Sequence, residues 1–217
     1  MGGSAVDDDA LFELATRNRL LAADLFAGLS TDQWATPSLC AGWTVREVAA
    51  HLVPPVDGMS VWSLLGTVVR YRGDLNRMVD ETTREEARRP TSELVQNLRD
   101  RAGVRLKPPV TGAAGPATDT VIHLRDAARP LGLAATPPDA DWQATLDFLV
   151  SRPARRGFLP KDRLVGLRLG TDDGAWSSGM GTPISGSPEA LAMAISGRTV
   201  YLTELTGPGV AILRNRL

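Results

Sequence analysis

Cysteine occurs once in this chain, at Cys40, so no internal disulfide can close; that excludes a disulfide-stapled secreted scaffold and agrees with a reducing compartment. In its apolar turn the thiol reads as a small buried hydrophobe. Basic excess is absent too. Lys and Arg number 24 against 25 Asp and Glu, a formal charge of -1, which removes the electrostatic basis for binding nucleic acid. No apolar run is long enough to span a bilayer, and the N-terminal residues carry Asp7, Asp8 and Asp9 where a signal peptide would be basic. The expectation is a cytoplasmic protein, monomer or homodimer, whose partners are small molecules and neither nucleic acid nor membrane. Histidine is limited to His51 and His123, so any chemistry that needs imidazole must use these two positions.

What the chain does have is helical periodicity. Leu11, Leu14, Ala15, Leu21, Ala22 and Leu25 follow helical spacing over 8–29. Thr44 and Glu47 form a Thr-x-x-Glu capping box, which starts a helix at a set place and puts Val45, Val48, Ala49 and Leu52 on one face with His51 on its border. Pro54 and Pro55 stop that helix. A long third helix is expected over 56–81, with Val61, Leu64, Val68 and Met78 inward, followed by a solvated, charge-dense end over 82–89. Pro90-Thr91-Ser92-Glu93 signals a further start, with Leu94, Leu98 and Ala102 as the inner face, and the Pro- and Gly-rich 107–117 is a loop. Pro116-Ala117-Thr118 opens the next helix, which Pro130 and Gly132 terminate, and Asp139 is expected to cap a shorter one containing Trp142 and Leu146.

Composition shifts at 152–157, which reads as a linker between a helical domain, 1–152, and a small domain, 153–217. Beyond it, Leu167 and Leu169, a turn at 170–174 and the run from Trp176 to Met180 predict a hairpin. Ser187-Pro188-Glu189 begins a helix that Gly197 ends, and Leu202 and Leu205 predict a last short one. So small a unit is marginal alone and is expected to pack on the helical part.

Asp119, His123 and Asp126 fall at i, i+4 and i+7, within roughly 60° of one another around a helix, with Val121, Leu124 and Ala128 on the other side. Such a stripe is either wet surface or a site. Asp119 and His123, one turn apart, can reach a common cation, and His51 completes the set from a different helix. Three protein ligands leave a position for water or substrate, and Asp126 is either an acceptor for a histidine N–H or a fourth ligand. The alternative is equally open at this point: His51 bonded to a carbonyl at a helix end, and Asp119 with His123 as a surface ion pair.

Two stretches carry a resemblance. Leu29-Ser30-Thr31-Asp32-Gln33-Trp34 with Pro37-Ser38-Leu39-Cys40-Ala41-Gly42-Trp43-Thr44-Val45-Arg46-Glu47-Val48-Ala49-Ala50-His51-Leu52, and Asp119-Thr120-Val121-Ile122-His123-Leu124-Arg125-Asp126-Ala127-Ala128-Arg129-Pro130-Leu131-Gly132, resemble the two motifs of the mycothiol-dependent maleylpyruvate isomerase family, part of the DinB-like superfamily of metal-binding helical bundles. The resemblance implies an α+β protein: an antiparallel four-helix DinB-like bundle followed by a small α/β domain of sterol-carrier-like type. It places the metal ligands on His51, Asp119 and His123, with aspartate where glutamate is the better-known ligand. Arg125 and Asp126 are then the expected catalytic residues, and Arg125, Arg198 or Arg214 the candidates for holding substrate carboxylates.

The implied cofactors are a divalent metal, zinc before nickel or iron, and mycothiol as co-substrate. The implied chemistry is isomerisation or S-transfer through a thiolate. A non-catalytic module binding a metal or a small apolar ligand, and a damage-response hydrolase on the same bundle, are the other functions this sequence fits.

Overall fold

The structure, a computed structural model, describes residues 7–55 and 74–217, with the backbone alone at Leu75. Helix α1 (Asp8–Ala27) begins where the Asp7 carboxylate accepts from the Asp9 amide, and Asp8 and Asp9 in its first turn complement the positive end of the helix dipole. It ends short of residue 29 because Gly28 and Leu29 lead into a Ser30–Gln33 capping box that starts the single turn α2 (Thr31–Trp34). Then come α3 (Val45–Leu52), α4 (Leu75–Glu86), α5 (Thr91–Asp100), α6 (Ala114–Ala128) and α7 (Asp139–Leu149).

Of the helix expected over 56–81, residues 56–73, with Val61, Leu64 and Val68, lie outside the described residues; the rest is helical and runs on to Glu86. The charge-dense run is therefore more than a solvated end, because Thr83 and Ala87 within it are buried. Two expected starts also move. α6 begins before Pro116, at Ala114, with no side-chain cap, and Asp139 is a first-turn residue of α7 behind Pro138 and does not cap it.

α6 is the axis of the helical part, packed against α1, α3 and α7. Its buried positions include Thr118, Val121, Ile122, His123, Leu124 and Asp126, which together go all the way round the helix. A helix buried on nearly every side has little wet face, so its buried polar residues must find partners inside the protein.

After a buried turn at Ala154, a three-stranded sheet forms from β1 (Leu167–Thr171), β2 (Ser177–Gly179) and β3 (Thr182–Gly186). β1 and β2 make the expected antiparallel hairpin. β3 adds to the other side of β1 in parallel, giving the order β2-β1-β3. Alternation could not reveal β3: Ile184 is its one buried large side chain, and Pro183 is tolerated because the strand is an edge. The chain passes from β2 to β3 directly against Gly166, and a Cβ on Gly181 (φ +133°) would lie 2.1 Å from the Gly166 carbonyl oxygen, so only glycine fits. Helix α8 (Pro188–Ile195), a 3-10 turn (Thr199–Glu204) and α9 (Gly209–Arg214) complete an α+β chain.

Two hydrophobic clusters hold these elements. One joins Leu14, Val121, Ile122, Trp142 and Leu146 to Leu167, Ile184 and Leu191, so the C-terminal segment packs on the helical part as expected. The other gathers Phe26, Trp34, Val48, Leu94, Leu98 and Leu124. Ile122 belongs to the first and Leu124 to the second. His123 stands between them, on the seam.

Candidate functional site

The loop before α3 is fastened at both ends. Within it Ser38 N donates to Trp43 O (2.9 Å) and Trp43 N to Cys40 O (3.1 Å), with Gly42 supplying the left-handed turn at φ +80°, while Leu39 N donates to the Asp126 carbonyl of α6 (3.1 Å). Thr44 N then donates to Glu47 Oε2 (2.8 Å) and Arg46 N to Thr44 Oγ1 (3.2 Å), so the capping box forms as its sequence predicts. From that start α3 reaches His51 in its last turn before Val53 turns extended ahead of Pro54. Arg46 also donates to the carbonyls of Ala87 and Arg89 (2.5 Å each), which anchors the end of α4 and brings Thr83 over the imidazole of His51.

His51 and His123 meet at Asp119. His51 Nε2 lies 2.9 Å from Asp119 Oδ2 and His123 Nε2 3.5 Å from Asp119 Oδ1, with ring centroids 4.7 Å apart. Each ring has its other nitrogen engaged. His123 Nδ1 is 2.9 Å from Asp126 Oδ2, and His51 Nδ1 is 3.4 Å from Thr83 Oγ1. Trp43 flanks both rings, centroids 5.1 and 5.9 Å away, and is itself held by its indole N–H on Asp80 Oδ1 (2.8 Å). The polar stripe of α6 is thus turned to other side chains more than to solvent, and among the described residues the ring nitrogens of His51 face Asp119 and Thr83 and no carbonyl.

Charges of opposite sign face one another in this cluster. Burial disfavours the charged form of His123, yet the bonds and charges of Asp119 and Asp126 raise the ring to about 9. Against the same penalty, the His51 charge and His123 hold the Asp119 carboxyl well below the usual carboxylate range, and Arg198 and His123 hold Asp126 down likewise. Asp126 is fully buried, and such a carboxylate needs firm partners. It has them in His123 and in the fork of Arg198, whose Nε donates to Oδ1 (2.9 Å) and whose Nη2 donates to Oδ2.

The donor set fits a divalent cation. Bonds of 2.0–2.2 Å in a tetrahedral site put ligand atoms roughly 3.3–3.6 Å apart. The Nε2 and Oδ pairs here stand at 2.9 and 3.5 Å, and one ligand atom from each of His51, Asp119 and His123 lies within 4.8 Å of the others. Asp119 keeps 34% of its side-chain surface open, toward a cavity of about 460 Å³ that Trp43, Asp80, Phe158 and Arg198 also line. Cys40 offers a second grouping with His123 and Asp126. That grouping is the poorer ligand set, because Arg198 occupies both Asp126 oxygens and burial, with the nearby Asp126 charge, pushes the Cys40 thiol up to about 11.

The remaining sequence candidates part ways here. Arg125 is not brought to the cluster: its Nε donates to Glu189 (2.8 Å) and its Nη1 to the Ala135 carbonyl (2.9 Å), which ties α6 to α8. Arg214 is exposed on α9. Asp126 and Arg198 do reach the site. Trp43 and Thr83 have no counterpart among the sequence candidates, although Trp43 lies inside the first motif.

Comparison with known proteins bears on the fold and the family. No curated protein matches the chain by sequence. In fold, the crystal structure of the mycothiol-dependent maleylpyruvate isomerase superposes with a TM-score of 0.63 at 13% identity, covering 94% of this chain and 93% of that one. A histidine-to-alanine mutant of that isomerase gives a TM-score of 0.61 at the same identity and coverage. The likeness is one of fold, and it runs through the C-terminal segment. The model of the mycothiol maleylpyruvate isomerase N-terminal domain matches residues 19–130, just over half of the chain and a stretch containing His51, Asp119, His123 and Asp126. The chain therefore belongs to the mycothiol maleylpyruvate isomerase N-terminal domain family.

Proposed function

We propose that this chain is a divalent-metal-dependent enzyme that uses the low-molecular-weight thiol mycothiol, as an isomerase or S-transferase of the maleylpyruvate isomerase type. The observation that carries the reading is the convergence of two imidazole nitrogens from two helices on one carboxylate at the wall of a cavity. His51, Asp119 and His123 are the metal ligands, with zinc, nickel or iron suited to such donors. A divalent ion held there supplies the acidity that turns a coordinated thiol into thiolate.

The chain's own groups do the rest. Asp119 is already anionic, so it needs no deprotonation before binding a cation. Asp126 accepts the proton on His123 Nδ1, which leaves Nε2 as the ligating nitrogen. Trp43 covers both rings and keeps water from their faces. Arg198 is the one arginine among the described cavity-lining residues, and it adds positive charge where an anionic substrate would sit. In the isomerase reaction the thiolate adds to the activated double bond, the bond rotates while single, and elimination returns the thiol.

The fold supports the same reading: the helical part is taken as a DinB-like four-helix bundle, 1–152, and 153–217 as a sterol-carrier-like domain. No described helix is long and apolar enough to cross a membrane, which is consistent with a cytoplasmic enzyme acting on small molecules. The cavity is lined by apolar side chains such as Val79, Ile122 and Phe158 as well as by Asp80, Asp119 and Arg198, and these three charged groups have no use in a module for a purely apolar ligand.

The test is metal content and thiol-dependent turnover of maleylpyruvate by wild type and His51→Ala, purified without chelator. Wild type is expected to hold one equivalent of metal and to isomerise only with mycothiol, and the variant to lose both while keeping its helical circular dichroism. Full metal occupancy in the variant, or turnover without metal, would sink the assignment.

A further inference from the structure

Resting on that metal-site reading, we propose that Arg198 is a positioning residue which sets the affinity of the site for its cation by clamping Asp126 against His123. The clamp reaches the site from outside its helices. α8 ends in a Schellman motif: Gly197, at φ +103°, lets its own N–H donate to Ala194 O (3.0 Å) and the Arg198 N–H to Met193 O (3.0 Å). Arg198 therefore leaves α8 at a fixed angle, and Nη1 donates back to Ser196 O (2.7 Å), which holds the guanidinium in place. Its two other nitrogens grip both oxygens of Asp126.

A carboxylate held by a bidentate fork cannot rotate. Asp126 Oδ2 is then a fixed acceptor 2.9 Å from His123 Nδ1, which sets the plane of the ring, keeps a proton on Nδ1 and points Nε2 toward Asp119, so that Nε2 is the nitrogen free to ligate once it gives up its own proton to an incoming cation. Among the described residues nothing comparable holds the other ring, since His51 Nδ1 has the neutral hydroxyl of Thr83 at 3.4 Å. His123 is thus the anchored ligand of the pair. Its anchor lies 72 residues away in the chain from Asp126.

The sign of the effect separates this role from simple electrostatics. A cation beside the site repels a bound cation, so if Arg198 acted only by its charge, removing it would tighten metal binding. As a clamp, its removal loosens binding, by about 10–100-fold, the usual loss when the outer partner of a ligating histidine is removed.

The experiment measures the Zn²⁺ dissociation constant by competition with a chromophoric chelator for wild type, Arg198→Ala, Asp126→Asn and the double variant, with circular dichroism as the folding control. Each single variant is expected to weaken Zn²⁺ binding about 10–100-fold, and the double variant to be no more than about threefold worse than the weaker single one, since both act through the same bond. Arg198→Lys, which keeps the charge and loses the fork, carries the test if Arg198→Ala does not fold, and is expected to lose affinity as well. Folded Arg198 variants that bind Zn²⁺ as tightly as wild type or more tightly, additive losses in the double variant, or failure of both Arg198 variants to fold would each overturn the clamp. Wild type that takes up no Zn²⁺, or His51→Ala that binds like wild type, overturns the metal site itself, so the two failures are distinct.

Discussion

Loading the site with Zn²⁺ at neutral pH is expected to expel at least one proton, and the structure says from where. In the metal-free protein the His123 ring titrates at about 9, because Asp119 and Asp126 outweigh the burial that opposes its charge. At pH 7 the ring is mostly protonated, and a protonated imidazole has no lone pair at Nε2 to give. Displacing that proton costs binding free energy, so apparent Zn²⁺ affinity at pH 7 lies below its value above pH 9, by about tenfold for each pH unit between. Affinity is complete above pH 9 and falls as pH falls, at least tenfold per unit near neutrality.

Stability of the metal-free protein runs the other way. A histidine raised in the folded state from its ordinary value of 6.5 contributes stability that is fully present below pH 6.5 and is lost as pH climbs to about 9. Asp119 and Asp126 add no proton to the count, since both are held down and already ionised at neutral pH. Calorimetric titration at pH 7 in buffers of different ionisation enthalpy counts the released protons, and repeating it from pH 6.5 to 9 gives the slope. Release near zero at pH 7, or an affinity flat across that range, would refute the charge assignment in the cluster.

Two further outcomes test the scaffold that presents the ligands. Thr44→Ala removes the side chain that caps α3, and urea denaturation is expected to show a loss of about 0.5–2 kcal/mol, with weakened Zn²⁺ binding because the helix start determines where His51 lies. Leu124→Ala opens a cavity in the second cluster, next to His123 and fully buried, and is expected to cost about 2–5 kcal/mol by the same measurement; a loss under 1 kcal/mol would mean the seam repacks freely.

What could be read from the sequence divides by the range of the interaction. α3 was legible almost to the residue because its start and stop are local: Thr44 with Glu47 at one end, Pro54 and Pro55 at the other. The hairpin and the Ser187 start of α8 were legible for the same reason. The meaning of the Asp119, His123 and Asp126 stripe was not, because spacing describes a helix face and says nothing of what covers it. Only burial decides, and burial of α6 on nearly every side comes from α1, α3 and α7 together. Thr83 was hidden in a run whose charges argued for solvent; the one uncharged pair there, Thr82 and Thr83, was the available signal.

Arg125 and Arg198 make the contrast sharpest. The second motif puts Arg125 directly before Asp126, but neighbours on a helix point about 100° apart, and Arg125 turns to Glu189. The partner that Asp126 needs comes instead from the residue after Gly197, a glycine whose role as a helix stop was readable and whose consequence for the next side chain was not. It follows that the site is not contained in the stretch that defines the family, residues 19–130. The three proposed ligands are there, but Arg198, which grips both oxygens of the buried Asp126 carboxylate, comes from outside it. If the clamp holds as proposed, a protein of this fold that kept His51, Asp119 and His123 and lost that arginine would keep the ligand set and lose the orientation of one member of it.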